Sequence, residues 1–180
     1  MELEKLFGLP AHPLMVHLPV VLIPLSGIIA IVFAFKTAWL DRYGWHLVAL
    51  TFVGAVGGVL AAGSGEGLAA LQRRAGVPLQ AGADDHFELG ETARNMGLLF
   101  FLVVFAVVAV RWYARKQAAD VGDGADSLWS RLNTKGVAVA MAVVLVLSAG
   151  AATYSISAAG HQGAKLVWDK GSGTQGGAGG

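Results

Sequence analysis

Four long uncharged stretches constrain the fold of this chain more than any other feature. They cover residues 14–35, 46–65, 95–110 and 136–159, and about 20 apolar residues are needed to cross roughly 30 Å of hydrocarbon as a helix. A soluble helical bundle would need polar outer faces, and the run LLFFLVVFAVVAV at 98–110 has none. The sequence therefore predicts an all-α fold, an integral membrane four-helix bundle.

The composition excludes several classes of protein. Hydrophobic residues make up 55% of the chain and charged residues 14%, whereas a soluble domain carries about 25% charged residues. An ordinary soluble enzyme is therefore excluded. The formal charge of +1, with no basic stripe, argues against a nucleic-acid partner. The absence of Cys excludes disulfides, thiolate metal sites and covalent c-type haem.

Composition predicts the domain boundary, and the charges predict the orientation. We expect one four-span domain over residues 1–170 and a flexible Gly-rich tail over 171–180. The loops at 36–45 and 111–135 carry seven Lys and Arg against six on the opposite side, where most of the acids lie. Under the positive-inside rule, we expect both termini to lie outside the membrane. The opening MELEK lacks a basic region, so we expect the first span to be retained rather than cleaved as a signal peptide.

The position of the ionisable residues, outside the centres of the spans, argues against one class of membrane protein. No Asp, Glu, Lys or Arg lies near the centre of any span. Proton pumps and ion-coupled transporters need such groups inside the membrane, so the sequence argues against that class.

The His residues are unevenly distributed. Only His46 lies at the predicted inner side, and those on the outer side are His12, His17, His86 and His161. His12 precedes Pro13, which favours an extended conformation, whereas His17 lies near the first helical turn. If both were helical they would lie about 140° apart around the axis, so we expect His12 to reach in from an extended segment. Asp85 and Glu88 form a capping-box pattern, which predicts that the third helix begins near His86.

Small residues follow these side chains at helical spacing on three of the predicted helices. The three stripes are His86, Gly90, Ala93, Gly97; Gly150, Tyr154, Ser157, His161; and Gly54, Gly58, Ala62, Glu66. Such stripes are common where membrane helices pack closely. They would also leave a cleft for a flat cofactor beneath an axial His. Because each stripe ends in a His or Glu on the same side, the pattern favours a binding site there.

Two terminal motifs carry a family resemblance. HPLMVHLP at 12–19 resembles the opening His-Pro-x-x-Val-His-x-Pro signature of an uncharacterised family of small four-span bacterial membrane proteins, domain of unknown function 2231. GHQGAKLVWDKG at 160–171 resembles the family's ending, with Ala164 in place of a Gly and Trp168 in place of a Tyr. His86 with Gly90 is similar to the family's His before the third span. The resemblance covers about residues 10–171 and implies a four-span fold without implying an activity.

The pattern of His residues predicts a b-type haem on the outer side, acting in electron transfer. Two imidazoles from different helices can hold such a haem, and we expect His17 and His86 to be the ligands. His161 and His12 are then alternative ligands or propionate partners, and Arg94 is a propionate partner. A haem at one side only would need a larger redox or respiratory complex, a quinone or a periplasmic electron carrier as its partner.

Two alternatives remain open. His12, His17, His86 and His161, with Glu66 or Glu88, could instead form a non-haem copper, zinc or iron site. The protein could also be a cofactor-free accessory or assembly subunit of a membrane complex, with structural His residues. In each case an electron-transfer or accessory subunit is favoured over a stand-alone enzyme.

Overall fold

The computed structural model describes residues 5–6, 9–121 and 127–168. A hairpin of two short antiparallel strands, β1 (Lys5–Leu6) and β2 (Leu9–Pro10), precedes the helices. The helices are α1 (Ala11–Phe35), α2 (Thr37–Arg74), α3 (Ala83–Val121), α4 (Leu128–Leu132) and α5 (Lys135–Trp168). This arrangement confirms the predicted all-α fold. The expected tail at 171–180 lies outside the described residues.

Four of these helices are long and apolar enough to cross a bilayer, and they contain the four predicted spans. α1, α2, α3 and α5 have 25, 38, 39 and 34 residues. At 1.5 Å per residue they are about 37, 57, 58 and 51 Å long. Because the hydrocarbon core is only about 30 Å thick, α2, α3 and α5 extend well beyond it.

The long helices form a ring in the order α1, α2, α3, α5, in which each helix packs against its two neighbours. The side chains that fill the centre of the ring include Ile23, Phe100, Val104 and Leu145. The connection at 75–82 lies at the same end as the beginning of α1 and the end of α5. That end holds a large cavity and is called the cavity end. The opposite end, which carries Lys36 and α4, is called the basic end.

Glycines on α2 let α1 approach closely. A Cβ at Gly54 would lie 2.9 Å from Ile23 Cδ1, and a Cβ at Gly57 would lie 2.8 Å from Leu18 Cβ. A side chain at Gly57 would force the helices apart, because Leu18 Cβ is fixed to the backbone of α1, whereas one at Gly54 would require the end of the Ile23 side chain to shift. A Cβ at Gly58 would have neighbours only at 3.9 Å. Close packing therefore accounts for Gly54 in the predicted stripe, and it also requires Gly57, which the stripe omitted.

A buried ion pair ties the basic end together. Arg111 is 2% exposed, and its Nε and Nη2 atoms donate to Asp41 Oδ1 and Oδ2 at 2.6 and 2.8 Å. The guanidinium carbon lies 5.1 Å from the centre of the Trp129 ring, and Arg115 donates to the backbone oxygen of Asp41 at 2.6 Å. Asp41, Arg111 and Trp129, called the clamp, therefore link α2, α3 and α4. In the sequence, Arg111 had stood only as one of several loop charges.

The predicted start of the third helix is wrong by one turn. α3 begins at Ala83 rather than near His86, so Asp85 lies in the first turn and does not cap the helix. The chain enters the helix through Gly82, whose φ of 83° lies in the left-handed region that favours glycine. The backbone turn at Gly82 therefore sets the helix start, in place of the capping box.

The predicted extended conformation of His12 is also wrong. His12 lies in α1, which begins at Ala11. Pro13 falls in the first helical turn, where its missing N–H removes no helical hydrogen bond, so the bias against helix before proline is overridden. With His12 and His17 on one helix, the two residues lie about 140° apart around its axis.

Candidate ligand-binding cavity

A partly open cavity of about 780 Å³ lies between α1, α2, α3 and α5 at the cavity end. Its position follows from unequal helix lengths. A Cβ at Gly58 would lie 3.9 Å from both Pro19 Cβ and Arg94 Cα, so these three residues are level. Above them α1 continues for about 12 Å to Ala11, and α2 continues for about 24 Å to Arg74. α1 therefore supplies a lower wall than α2.

The cavity walls are mostly apolar and are built from many small residues. Among the small residues that line it are Gly58, Gly65, Gly90, Ala93, Gly160 and Gly163. The polar side chains that line it include His17, Glu66, Gln80, His86, Glu91 and Arg94. Apolar cavities of about 300–1,000 Å³ with a few polar groups are typical of small-molecule and cofactor sites.

His86 packs against the backbone of α5. A Cβ at Gly163 would lie 2.9 Å from Cε1 of His86, 3.5 Å from Nδ1 and 3.6 Å from Nε2. The imidazole is half-buried, and its Nδ1 atom is buried. Any side chain at position 163 would displace this ring. Glycine at position 163 therefore allows His86 to lie in the cavity wall.

His17 lines the same cavity from α1. It lies two residues, about 3 Å of helix rise, above Pro19, whereas His86 lies eight residues, about 12 Å, above Arg94. Because Pro19 and Arg94 are level, the two His residues differ in height by about 9 Å along the bundle axis. The imidazoles therefore enter the cavity from different helices and at different depths.

Arg94 and Glu66 supply opposite charges to the cavity. Arg94 Nη1 lies 3.9 Å from Glu66 Oε1, and the two side chains are 29% and 57% exposed. Arg94 Nε also donates to Asn95 Oδ1 at 3.3 Å. An ion pair this long and this exposed is weak. The guanidinium of Arg94 can therefore turn toward a bound anion at little cost.

The connection between α2 and α3 closes over one side of the cavity. Gln80 Nε2 donates to the backbone oxygen of Leu166, near the end of α5, at 2.7 Å. A Cβ at Gly82 would lie 3.4 Å from Gln162 Nε2 and 3.5 Å from Leu166 Cδ2. These contacts fasten the connection to α5 and fix the first turn of α3, which carries His86.

The structure brings together most of the predicted site residues. His17, His86, Glu66, Arg94 and Gly90 all line the cavity. Gly97, which was also predicted to belong to the site, does not line the cavity. It is buried deeper in the bundle, where a Cβ would lie 3.7 Å from Ile23 Cδ1.

The remaining predicted residues lie elsewhere. His161 is exposed and does not line the cavity, and Tyr154 and Ser157 of the same stripe are exposed as well. The side chain of His12 lies outside the described residues. Across the described part of the chain, no three His, Asp or Glu side chains lie close enough together to hold a metal ion.

The face of α5 that lines the cavity was missed. It carries Ile156, Ala159, Gly160 and Gly163, about one residue out of phase with the predicted stripe. Gly160 and Gly163 flank His161 in the terminal motif, and these glycines, rather than the His between them, were the available signal. Gln80 carried no signal, since its contact with Leu166 joins positions far apart in the chain.

The helices and the cavity define a multi-pass membrane protein with an apolar cavity at one end of its bundle. The chain belongs to the family described as predicted membrane protein (DUF2231), whose model matches residues 8–176. This match confirms the resemblance carried by the terminal motifs. No curated protein and no solved structure matches the chain.

Proposed function

We propose that this protein holds a b-type haem in the cavity, with His17 and His86 as its ligands, and transfers electrons to or from a larger redox or respiratory complex. One observation carries the proposal: two imidazoles from different helices line one apolar cavity of about 780 Å³. Two imidazoles can serve as the ligands of a b-type haem, which also needs an apolar wall for the macrocycle and polar groups for its propionates. The cavity offers each of these.

The chemistry of each lining residue supports this assignment. Nδ1 of His86 is buried against the wall, so His86 would bind iron through Nε2. Arg94, whose pairing with Glu66 is long, is suited to hold a propionate. The small residues of α2 and α5, such as Gly65 and Gly160, leave space for a flat ring. His161 is exposed and does not line the cavity, so it has no part in the proposed site.

The location of the site determines how electrons could enter and leave. Among the described residues, His46 is the only His at the basic end, where it lies beside Tyr43. One haem at the cavity end therefore cannot carry electrons across the bilayer alone. We propose that it exchanges electrons with a quinone or a periplasmic electron carrier, with the cavity end outside the bacterial cytoplasmic membrane, as the excess of Lys and Arg at the other end indicates.

Absorption spectroscopy with four matched variants tests the proposal. We expect protein purified from haem-supplemented cells to show a Soret band with about one haem per chain. His17→Ala and His86→Ala should each lose most of this absorbance. His161→Ala and His46→Ala should keep it, because these side chains lie outside the cavity.

Metal analysis of the same samples separates the alternatives. Stoichiometric copper, zinc or iron without a Soret band would replace the haem with a non-haem site, in which the side chain of His12 could supply a third ligand. A colourless protein without metal would overturn the cofactor proposal and favour an accessory subunit. Full absorbance in both His17→Ala and His86→Ala would overturn the ligand assignment.

A further inference from the structure

A continuous series of aromatic rings runs along the lipid-facing seam between α2 and α3. The ring centres of Phe52 and Phe101 are 5.5 Å apart, and those of Phe101 and Phe105 are 6.1 Å apart. Trp45 then lies 6.1 Å from Phe105 and 6.3 Å from Trp112. These five residues are called the aromatic ladder. All except Phe101 are more than two fifths exposed, so their rings face the bilayer.

Two cations lie just beyond the ladder at the basic end. Arg42 precedes Trp45 by three residues on α2, and Lys116 follows Trp112 by four residues on α3. Because the two helices are antiparallel, both cations lie about one turn past the contact between Trp45 and Trp112, on the same side of it. Lys116 Nζ is 5.6 Å from the centre of the Trp112 ring.

These cations are available to an anion. Across the described residues, no carboxylate lies within 4 Å of Arg42 or Lys116. The nearby carboxylate of Asp41 is engaged by Arg111. Both cations are exposed, and the exposed Trp rings beside them are typical of the level of lipid headgroups.

We propose that the aromatic ladder is the binding surface for one anionic phospholipid, with an acyl chain along the rings and the phosphate between Arg42 and Lys116. Basic side chains at this level attract anionic headgroups, and the apolar rings above them provide the surface for the chain. This site is separate from the cavity and does not depend on the proposed haem.

A second copy of the chain fits this surface less well. Two copies in one membrane would pair about a twofold axis, which places the same patch of each copy in contact. Arg42 and Lys116 of one copy would then lie close to the same cations of the other, with like charges at short range. An anionic lipid has the opposite charge and meets no such repulsion.

Lipid titration of the purified protein tests the proposal. Wild type, the double variant Arg42→Gln/Lys116→Gln and the control Arg73→Gln/Lys165→Gln, which removes two exposed cations at the cavity end, are each titrated in detergent with dioleoyl phosphatidylglycerol or dioleoyl phosphatidylcholine. Bound lipid is counted by native mass spectrometry. We expect wild type and the control to prefer phosphatidylglycerol. Each cation removed should weaken its binding about fivefold, while phosphatidylcholine binding is unchanged.

Fluorescence locates the lipid independently. Phosphatidylglycerol with brominated acyl chains should quench the tryptophan fluorescence of wild type more strongly than that of a Trp45→Phe/Trp112→Phe variant. Equal retention of the two lipids by wild type, or unchanged phosphatidylglycerol binding in the double variant, would overturn the proposal. The chain has no Cys, so a Phe105→Cys variant that forms disulfide-linked dimers regardless of added phosphatidylglycerol would also overturn it, in favour of a second copy.

Discussion

At the scale of single residues, Gly163 and His86 connect two motifs that lie far apart in the chain. Gly163 belongs to the terminal motif after the fourth span, and His86 lies at the start of α3. Their contact, with Cε1 of His86 2.9 Å from where a Cβ at Gly163 would lie, places the imidazole in the cavity wall. Gly163 of the terminal motif therefore leaves the space that the His86 ring occupies.

Gly163→Ala is expected to move the His86 ring. The contact is too close for a methyl group, so the ring must shift, and because the ring is the free end of a flexible side chain it can do so at small cost to stability. Gly160→Ala is the matched control, because Gly160 also lines the cavity but a Cβ there would meet nothing within 4 Å. We expect the His86 Cε1–H resonance to shift, and the content of the proposed haem to fall, in Gly163→Ala only. Equal effects of the two substitutions would contradict the claim that Gly163 positions the His86 ring.

At the scale of helices, hydrophobicity predicts where the spans lie in the sequence but not which face of each helix points into the bundle. The thickness of the bilayer requires long apolar runs, so the four spans were visible in the sequence. Lipid-facing and buried faces of a membrane helix are similarly apolar, so no polar side marks the outside. For this reason the sequence predicts that the stripe with His161 on α5 faces the binding site. In the structure the neighbouring face, with Gly160, lines the cavity instead. Predicting that face would have required knowing which helix packs against α5.

The glycines of α2 give a prediction at this scale. Gly57→Ala should separate α1 from α2, because its Cβ would lie 2.8 Å from Leu18 Cβ and 3.0 Å from Pro19 Cδ. We expect the free energy of unfolding to fall by about 1–3 kcal/mol. Gly63→Ala is the control, since a Cβ there meets nothing within 4 Å, and its better helix propensity should leave stability equal or up to about 1 kcal/mol higher. Unfolding in mixed micelles measures both, and similar losses would contradict the packing argument.

At the scale of the whole molecule, the two ends of the bundle differ in construction. The basic end is held by the clamp, in which Arg111 is almost fully buried and bonded to Asp41 through two nitrogen atoms. The cavity end is held by the bond from Gln80 to Leu166 and by long, exposed ion pairs such as that of Arg73 with Asp84, at 3.8 Å. The sequence showed charges at both ends, but only the folded chain shows which of them are buried.

Asp41→Asn is expected to destabilise the molecule strongly. It leaves the Arg111 cation buried without its counter-charge, which costs about 3–5 kcal/mol. Arg73→Ala is the control, because the side chains of its pair are 64% and 88% exposed, and its effect should stay within about 1 kcal/mol. Unfolding in mixed micelles compares the two variants. A loss for Asp41→Asn no larger than that for Arg73→Ala would show that the clamp does not hold the helices.

The cavity, whose position follows from the short α1, and the stabilising clamp lie at different ends of the bundle. α1 rises less far along the cavity than α2 does, and the clamp lies at the opposite end of the bundle. Substitutions that change the shape of the cavity therefore need not weaken the clamp. The same four-helix scaffold can therefore accommodate a different ligand without losing its stability.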